Sequence, residues 1–153
     1  MSYIKIKSHA KINLALNIVG KTKTLHKIES IVSFLDLHDE IRIKKINQKN
    51  NKIKFFGKFS KGIKSKNTVS ELLKNIEKKK LFKEKFQITI KKNIPSEAGL
   101  GGGSMNAASV LNFFIKKKLL KRKKEILKVA NAIGSDVVLG LYKKNLVLKS
   151  NNE

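Results

Sequence analysis

Residues Pro95 to Ala108 read Pro-Ser-Glu-Ala-Gly-Leu-Gly-Gly-Gly-Ser-Met-Asn-Ala-Ala, and residues 95–104 are called the glycine loop below. Four of the nine glycines of the chain fall within five positions of this stretch, before a segment with the apolar spacing of a helix. Glycine costs backbone entropy on folding, and it allows backbone N–H groups to approach a ligand closely. A helix N-terminus adds unpaired N–H groups and the positive end of the helix dipole. The glycine loop therefore predicts a phosphate-binding site and, with it, a nucleotide.

The composition is that of one globular domain without cysteine. A chain of 153 residues with 41% hydrophobic residues is large enough for a single core. The absence of cysteine excludes disulfides and thiolate metal sites, and it favours a cytoplasmic location. The first residues alternate between apolar and polar, and no stretch approaches about 20 apolar residues. We therefore expect neither a signal peptide nor a membrane span.

The net charge of +24 comes almost entirely from lysine, which is spread along the whole chain. Base reading and bidentate phosphate contacts favour arginine, and the chain has only Arg42 and Arg122. No aromatic-rich stacking platform accompanies the lysines. We expect no dedicated nucleic-acid surface, although a basic nucleic-acid-binding domain of similar fold remains an alternative. The positive field also favours an anionic small-molecule substrate.

Periodicity predicts an α+β domain. Apolar residues alternate with polar ones from Ile4 to Ile18, which predicts one bent strand or two consecutive ones with Lys11 and Asn13 together on the face opposite the core. Ser104 is predicted to cap the helix that follows the glycine loop. The other predicted elements are strands at Ile41–Ile43, Lys52–Phe55 and Phe86–Ile90, and helices at Val69–Lys80 (capped by Asn67 or Thr68) and Glu125–Ile133 (ended by Gly134).

Two common phosphate motifs do not fit the glycine loop. A Walker A loop would continue with Gly-Lys-Ser/Thr, and this loop does not. A dinucleotide fingerprint expects an acidic residue about 20 positions later, where this chain has a run of lysines. A flexible turn followed by a helix cap remains the plain structural alternative.

The glycine loop resembles the phosphate-binding motif of the GHMP small-molecule kinases. The matching positions are Pro95, Ala98, Gly99, Leu100, Gly101, Gly102, Gly103, Ser104, Asn106, Ala107 and Ala108. Three further segments match family motifs in the same order along the chain: Ala10–Leu14, His26 with Asp36–Asp39, and Ile133–Val137. The branch of the family that the chain most resembles phosphorylates a cytidine diphosphate-linked methylerythritol in isoprenoid precursor synthesis. Another GHMP kinase, acting on homoserine or a mevalonate-type substrate, remains an alternative.

The resemblance implies a fold, two small molecules and a role for each matching residue. The fold is the GHMP N-terminal domain, a mostly antiparallel sheet with helices on one face that a domain of a ribosomal protein shares. ATP, arriving with Mg²⁺, would bind the matching positions from Pro95 to Asn106. Asp136 would act as catalytic base beside Lys11, while Asn13 and His26 would bind substrate. No His, Asp and Glu set has metal-ligand spacing, so we expect no metal site from the chain itself, and His9 and His38 receive no role.

The chain departs from the family pattern at three positions and in its length. Leu25 replaces a tyrosine suited to stacking on cytosine, Met105 replaces a small hydroxyl residue in the motif, and Val138 replaces a proline. Family members are about twice as long. We expect residues 1–153 to form the N-terminal, ATP-binding domain without the C-terminal one, as a fragment or a shortened gene product. Turnover by this chain alone is expected to be weak or absent, because closure of the site normally excludes water.

Overall fold

The sheet is organised around one long hairpin. The structure, a computed structural model, describes residues 2–21, 26–142 and 145–149. Strand β1 (Ile4–Lys21) pairs antiparallel with β2 (His26–Ile46). Strands β3 (Lys52–Phe56) and β4 (Lys85–Lys91) pair in parallel, and β4 pairs antiparallel with the second half of β2. The short β5 (Leu146–Lys149) pairs antiparallel with the first half of β2, so the sheet is mostly antiparallel.

Four helices lie within the described residues: α1 (Thr68–Lys78), α2 (Gly102–Lys116), α3 (Lys123–Ile133) and α4 (Ser135–Tyr142). Helix α1 connects β3 to β4, and its N-cap is Asn67, whose side-chain oxygen accepts hydrogen bonds from the amides of Val69 and Ser70. The Ser70 hydroxyl accepts in return from the Asn67 amide, which completes a capping box. None of the described helices combines the length and the apolar character that crossing a membrane requires.

The core lies between the helices and one face of the sheet. Strands β2 and β4 contribute alternate residues that are fully buried: Ile41, Ile43, Ile88 and Ile90. They pack against α1 and α2, where Phe114 is fully buried and stacks edge-on with Phe82 and Phe113. The predicted α+β fold, with a mostly antiparallel sheet and helices on one face, is confirmed.

Helices α2 and α4 cross at a glycine. A Cβ atom added to Gly140 would lie 2.5 Å from the Cβ of Ala108 and 3.1 Å from the Cε of Met105. No side chain fits at this crossing, so Gly140 permits the close approach of the two helices. The crossing fixes where α4 begins relative to the glycine loop.

Three local predictions were wrong. The predicted short strand at Ile41–Ile43 is part of the 21-residue β2, because pairing with both β1 and β4 extends it. Helix α2 begins at Gly102, so Ser104 lies in its first turn and does not cap it. Lys11 was expected on the face of β1 opposite the core, but its side chain is buried. Neither α4 nor β5 was predicted, since each is short.

Apolar and polar residues alternate along β1, but the apolar residues do not all lie on one buried face. Register shifts against β2 fall between His9 and Lys11 and between Asn13 and Ala15. Between His9 and Lys11 three residues of β2 (35–37) lie opposite Ala10 alone, a shift of two residues, and between Asn13 and Ala15 the shift is one residue. Within this irregular segment Lys11 is buried instead of facing solvent, and the predicted core residue Leu14 is 63% exposed.

Candidate functional site

The glycine loop takes backbone conformations that glycine favours. Gly99 and Gly101 have φ of 72° and 64°, in the left-handed region, and Glu97 also has a positive φ of 59°. Gly101 serves as the N-cap of α2 without any side-chain cap. The first helical hydrogen bond of α2 runs from the Met105 amide to the Gly101 carbonyl oxygen, at 2.9 Å. The chain therefore turns sharply into the helix, and no side chain makes a capping hydrogen bond there.

The first turn of α2 presents backbone donors to the loop. The amides of Gly102, Gly103 and Ser104 precede the first helical hydrogen bond, so they have no partner within the helix. This turn carries no acidic residue that would neutralise the positive end of the helix dipole. The Thr68 hydroxyl, at the start of α1, donates to the carbonyl oxygen of Gly103 at 2.6 Å. This hydrogen bond holds the first turn of α2 against the start of α1. The arrangement is suited to an anion such as phosphate.

A cavity of about 340 Å³ lies between the glycine loop and the start of α1. Its size suits a small ligand. One part of its wall is apolar and includes Phe55, Ile63 and Val69. The remaining wall comprises Asn67, Thr68, Lys92, the ten residues of the glycine loop and Asn106. The predicted ATP-binding residues therefore line one cavity together.

Lys11 is joined to the glycine loop through its backbone and its side chain. Its amide donates to the carbonyl oxygen of Leu100 at 3.0 Å. A Cβ atom added to Gly101 would lie 2.9 Å from the Cγ of Lys11, so the lysine stem passes directly over this glycine. The side chain of Lys11 is only 8% exposed. The backbone hydrogen bond and the packing of the stem together hold Lys11 against the glycine loop.

Three predicted residues meet at the end of the Lys11 side chain. The Lys11 Nζ lies 3.2 Å from Asp136 Oδ2, and it donates to Asn13 Oδ1, also at 3.2 Å. The side chain of Asp136 is 35% exposed in the first turn of α4, so a ligand in solution can reach the carboxylate. Residues from β1 and α4 therefore form a paired cation and anion at the edge of the glycine loop.

A buried carboxylate, which the sequence analysis left without a role, anchors the loop. The Asp39 side chain is fully buried and pairs with the ammonium of Lys92. It also accepts hydrogen bonds from the amides of Asn93 and Ile94 at 2.8 and 2.9 Å, and from Asn106 Nδ2 at 2.9 Å. These contacts hold the chain immediately before Pro95 and the first part of α2 to one group.

Lys92 was overlooked, although a signal for it exists in the sequence. It continues the alternation of Phe86, Ile88 and Ile90, so it falls on the inward face of β4, where a lysine requires a counter-charge. The structure supplies that charge from Asp39 and places Lys92 in the cavity wall.

Other predicted positions lie as follows. Pro95 and Ala98 line the cavity, and Asn106 lines it while its amide group binds Asp39. Met105 does not line the cavity and packs against Gly140. A hydroxyl residue at this position would therefore point at α4 and not at the cavity. His26 begins β2, and its side chain lies outside the described residues, as does Leu25.

The chain has curated relatives named for a kinase activity. It is 56% identical over 155 residues to a Pelagibacter ubique (strain HTCC1062) protein named 4-diphosphocytidyl-2-C-methyl-D-erythritol kinase, a match that covers 100% of this chain and 55% of the relative. A Thermosipho africanus (strain TCF52B) protein of the same name is 37% identical over 158 residues, covering 97% of this chain and 52% of the relative. The chain therefore spans about half the length of these relatives.

Solved structures and a family model agree on the fold. A crystal structure of 4-(cytidine 5'-diphospho)-2C-methyl-D-erythritol kinase matches with a TM-score of 0.72 at 22% identity, covering 96% of this chain and 52% of that one. The model of the GHMP kinases N terminal domain matches residues 67–144, about half of the chain, from the cap of α1 to the end of α4. This chain belongs to the GHMP kinases, and the matched residues include the glycine loop and Asp136.

Proposed function

We propose that residues 1–153 form the ATP-binding part of a kinase that phosphorylates the 2-hydroxyl of 4-diphosphocytidyl-2-C-methyl-D-erythritol. The ion pair between Lys11 and Asp136, at 3.2 Å beside the glycine loop, is the observation that carries the proposal. The names of the curated relatives support the choice of substrate. In this proposal the reaction belongs to isoprenoid precursor synthesis in the cytoplasm.

The two parts of the cavity wall suit the two parts of ATP. The apolar wall of Phe55, Ile63 and Val69 would receive the adenine ring, and the amides at the start of α2 would receive the phosphates. A Cβ atom added to Gly102 would lie 3.0 Å from Ile94 Cγ2 and 3.2 Å from Lys92 Nζ. A side chain at Gly102 would therefore collide with these two residues, whereas glycine leaves the backbone amide free to approach phosphate closely.

Asp136 and Lys11 divide the chemistry between them. Asp136 accepts the proton of the substrate 2-hydroxyl as the hydroxyl oxygen bonds to the γ-phosphorus of ATP. The bond from that phosphorus to the bridging oxygen breaks at the same time, and ADP leaves with the electron pair. Lys11 stabilises the negative charge on the transferring group, and its burial against Gly101 keeps its ammonium in place without reorganisation.

Mg²⁺ bound with ATP supplies neutralisation of phosphate charge. The Ser104 hydroxyl is the donor that we assign to the metal or to a phosphate oxygen, since Ser104 lines the cavity in the first turn of α2. Water and phosphate would complete the coordination. Asn13, held by Lys11, would orient the substrate near its reacting hydroxyl, and His26 would contact its cytosine.

Binding is tested by NMR on the ¹⁵N-labelled chain. MgATP is expected to shift the amide signals of Gly101 to Ser104, and the methylerythritol substrate those of Asn13 and Asp136. Homoserine and mevalonate serve as competing substrates, and duplex RNA tests the nucleic-acid alternative. Shifts at Asn13 and Asp136 with homoserine or mevalonate alone would assign the chain to another GHMP kinase. Salt-sensitive RNA binding without any ATP effect would reject the kinase.

Turnover is tested in a chimera in which residues 1–153 replace the matching part of the Pelagibacter relative. Asp136→Asn is expected to lower kcat by about 10²–10⁴-fold, the range of a general base. ATP affinity should persist, because Asp136 does not line the cavity. Glu125→Gln is the matched control, since this carboxylate pairs with Arg122 on the exposed surface of α3. Equal kcat values for the Asp136→Asn and Glu125→Gln chimeras would refute the proposed base.

A further inference from the structure

Two histidines and an aspartate converge on the sheet face opposite the core. His9 in β1 lies directly across from His38 in β2, and their ring centroids are 5.3 Å apart. Asp36 lies two residues before His38 on the same strand, in the segment of β2 opposite Ala10 where the register shifts. One ligand atom from each of the three side chains lies within 4.8 Å of the others. The adjacent residue Asp39 faces the other way, into the core.

Both imidazole rings are oriented by backbone carbonyl groups. His9 Nδ1 lies 2.9 Å from the carbonyl oxygen of Leu35, and His38 Nδ1 lies 2.6 Å from the carbonyl oxygen of Asp36. A carbonyl oxygen only accepts hydrogen bonds, so Nδ1 of each ring carries the proton. In the neutral rings each Nε2 then has a free lone pair. A histidine whose second nitrogen donates to a carbonyl is the usual arrangement at metal sites.

The geometry points to a site for one divalent transition-metal ion that is bound by His9, His38 and Asp36. Zn²⁺ is the ion that we propose. Two imidazole nitrogens and one carboxylate oxygen form a donor set that suits Zn²⁺, whereas Mg²⁺ prefers oxygen donors alone. Asp36 is exposed and both histidines are half-buried, so a metal ion enters from solvent and water completes its coordination.

The bound ion would join β1 to β2 at a defined place. His9 is the last residue in register before the shift that precedes Lys11. A metal bridge between His9 and His38 therefore fixes the strand pairing immediately before the segment that contacts the glycine loop. Because the unfolded chain does not hold the three ligands together, binding also stabilises the folded chain.

Isothermal titration of the untagged 153-residue chain with ZnCl₂ tests the site. One Zn²⁺ per chain is expected, with a rise in Tm, and MgCl₂ should produce neither effect. His38→Asn and Asp36→Asn should each weaken Zn²⁺ binding at least about tenfold. Glu125→Gln removes a carboxylate on the exposed surface of α3 and should leave the affinity unchanged. Circular dichroism checks that each variant is folded.

The ligands are identified independently by NMR. Zn²⁺ should shift the ring Nε2 signals of His9 and His38, and the His26 ring signals should remain unchanged. The proposal is overturned if Zn²⁺ does not bind with a saturable isotherm. It is equally overturned if folded His38→Asn and Asp36→Asn variants bind Zn²⁺ as tightly as the unaltered chain. All these readouts are independent of kinase activity.

Discussion

The amide of Lys11 donates a hydrogen bond of 3.0 Å to the carbonyl oxygen of Leu100, which ties the edge strand β1 to the glycine loop. The two residues are distant in sequence, and this backbone hydrogen bond determines where β1 lies relative to the glycine loop. Because the Lys11 side chain then lies over Gly101, it links the start of α2 at Gly102 to the carboxylate of Asp136. Displacing the loop at Gly101 should therefore displace Lys11 as well.

Gly101→Ala tests this coupling. The new Cβ would lie 2.9 Å from Lys11 Cγ, at a φ of 64° that disfavours any side chain. Gly62→Ala is the matched control, since Gly62 has a φ of 84° and its Cβ would contact nothing within 4 Å. Both variants should lose roughly 1–2 kcal/mol of unfolding free energy to backbone strain. Only Gly101→Ala should also weaken ATP binding, by about tenfold or more, measured by isothermal titration. Equal ATP affinities of the two variants would contradict the coupling.

Lys11→Met should remove the stabilisation of negative charge on the transferred phosphoryl group, while the aliphatic part of the side chain still packs over Gly101. The chimera carrying this change is expected to lose about 10²–10³-fold in kcat, the scale for one electrostatic group at a transition state. Lys7→Met makes the same change on the same strand at an exposed position and should leave kcat unaltered. A similar decrease in both variants would assign the effect to net charge and not to Lys11.

The ion pair of Asp39 and Lys92 is buried on both sides, so it should be highly sensitive to a single substitution. Asp39→Asn leaves the Lys92 ammonium buried without a counter-charge, which costs about 3–5 kcal/mol of unfolding free energy. The double variant Asp39→Asn with Lys92→Met removes both charges and should be more stable than Asp39→Asn alone. Urea unfolding gives the values, with Glu125→Gln as an exposed reference expected to cost about 0–1 kcal/mol. A double variant less stable than Asp39→Asn would argue against the unpaired charge as the cause.

Gly140→Ala should destabilise the chain although alanine is the better helix former. The added Cβ would lie 2.5 Å from the Cβ of Ala108, and overpacking of this kind costs about 1–3 kcal/mol. Ala108→Gly in the same background removes the opposing methyl group and should recover part of the loss. Thermal unfolding measures both effects. A Tm for Gly140→Ala equal to or above that of the unaltered chain would exclude the tight crossing of α2 and α4.

The sequence predicted the elements whose causes are local. The apolar spacing after Val69, a cap at Asn67 or Thr68 and the stop at Gly134 depend on nearby residues, and the structure has all three, with Asn67 as the cap. The cavity-lining role of the glycine loop also follows from local glycine content. The family motifs pointed to Lys11 and Asp136, and the structure brings these two side chains together.

The remaining features depend on contacts between distant segments. The burial of Lys11 results from its contacts with Leu100 and Gly101, and alternation within β1 carries no sign of them. The grouping of His9, Asp36 and His38 likewise depends on strand pairing, so a search for ligand spacing along the chain missed it. Asp39 acquires its four donors from two segments, residues 92–94 and the first part of α2, which reach it only after folding.

The register shift between His9 and Lys11 also determines which mutations in β1 are compatible with the position of Lys11 beside the glycine loop. Substitutions on the exposed positions of β1 leave the pairing intact, which is compatible with the many lysines and asparagines that the strand carries. A single-codon insertion or deletion upstream of Lys11 would instead reverse the facing of the residues that follow. Lys11 would then turn away from the loop, while the composition of the strand would hardly change. The length of this segment should therefore vary far less among descendants of the sequence than its residue identities.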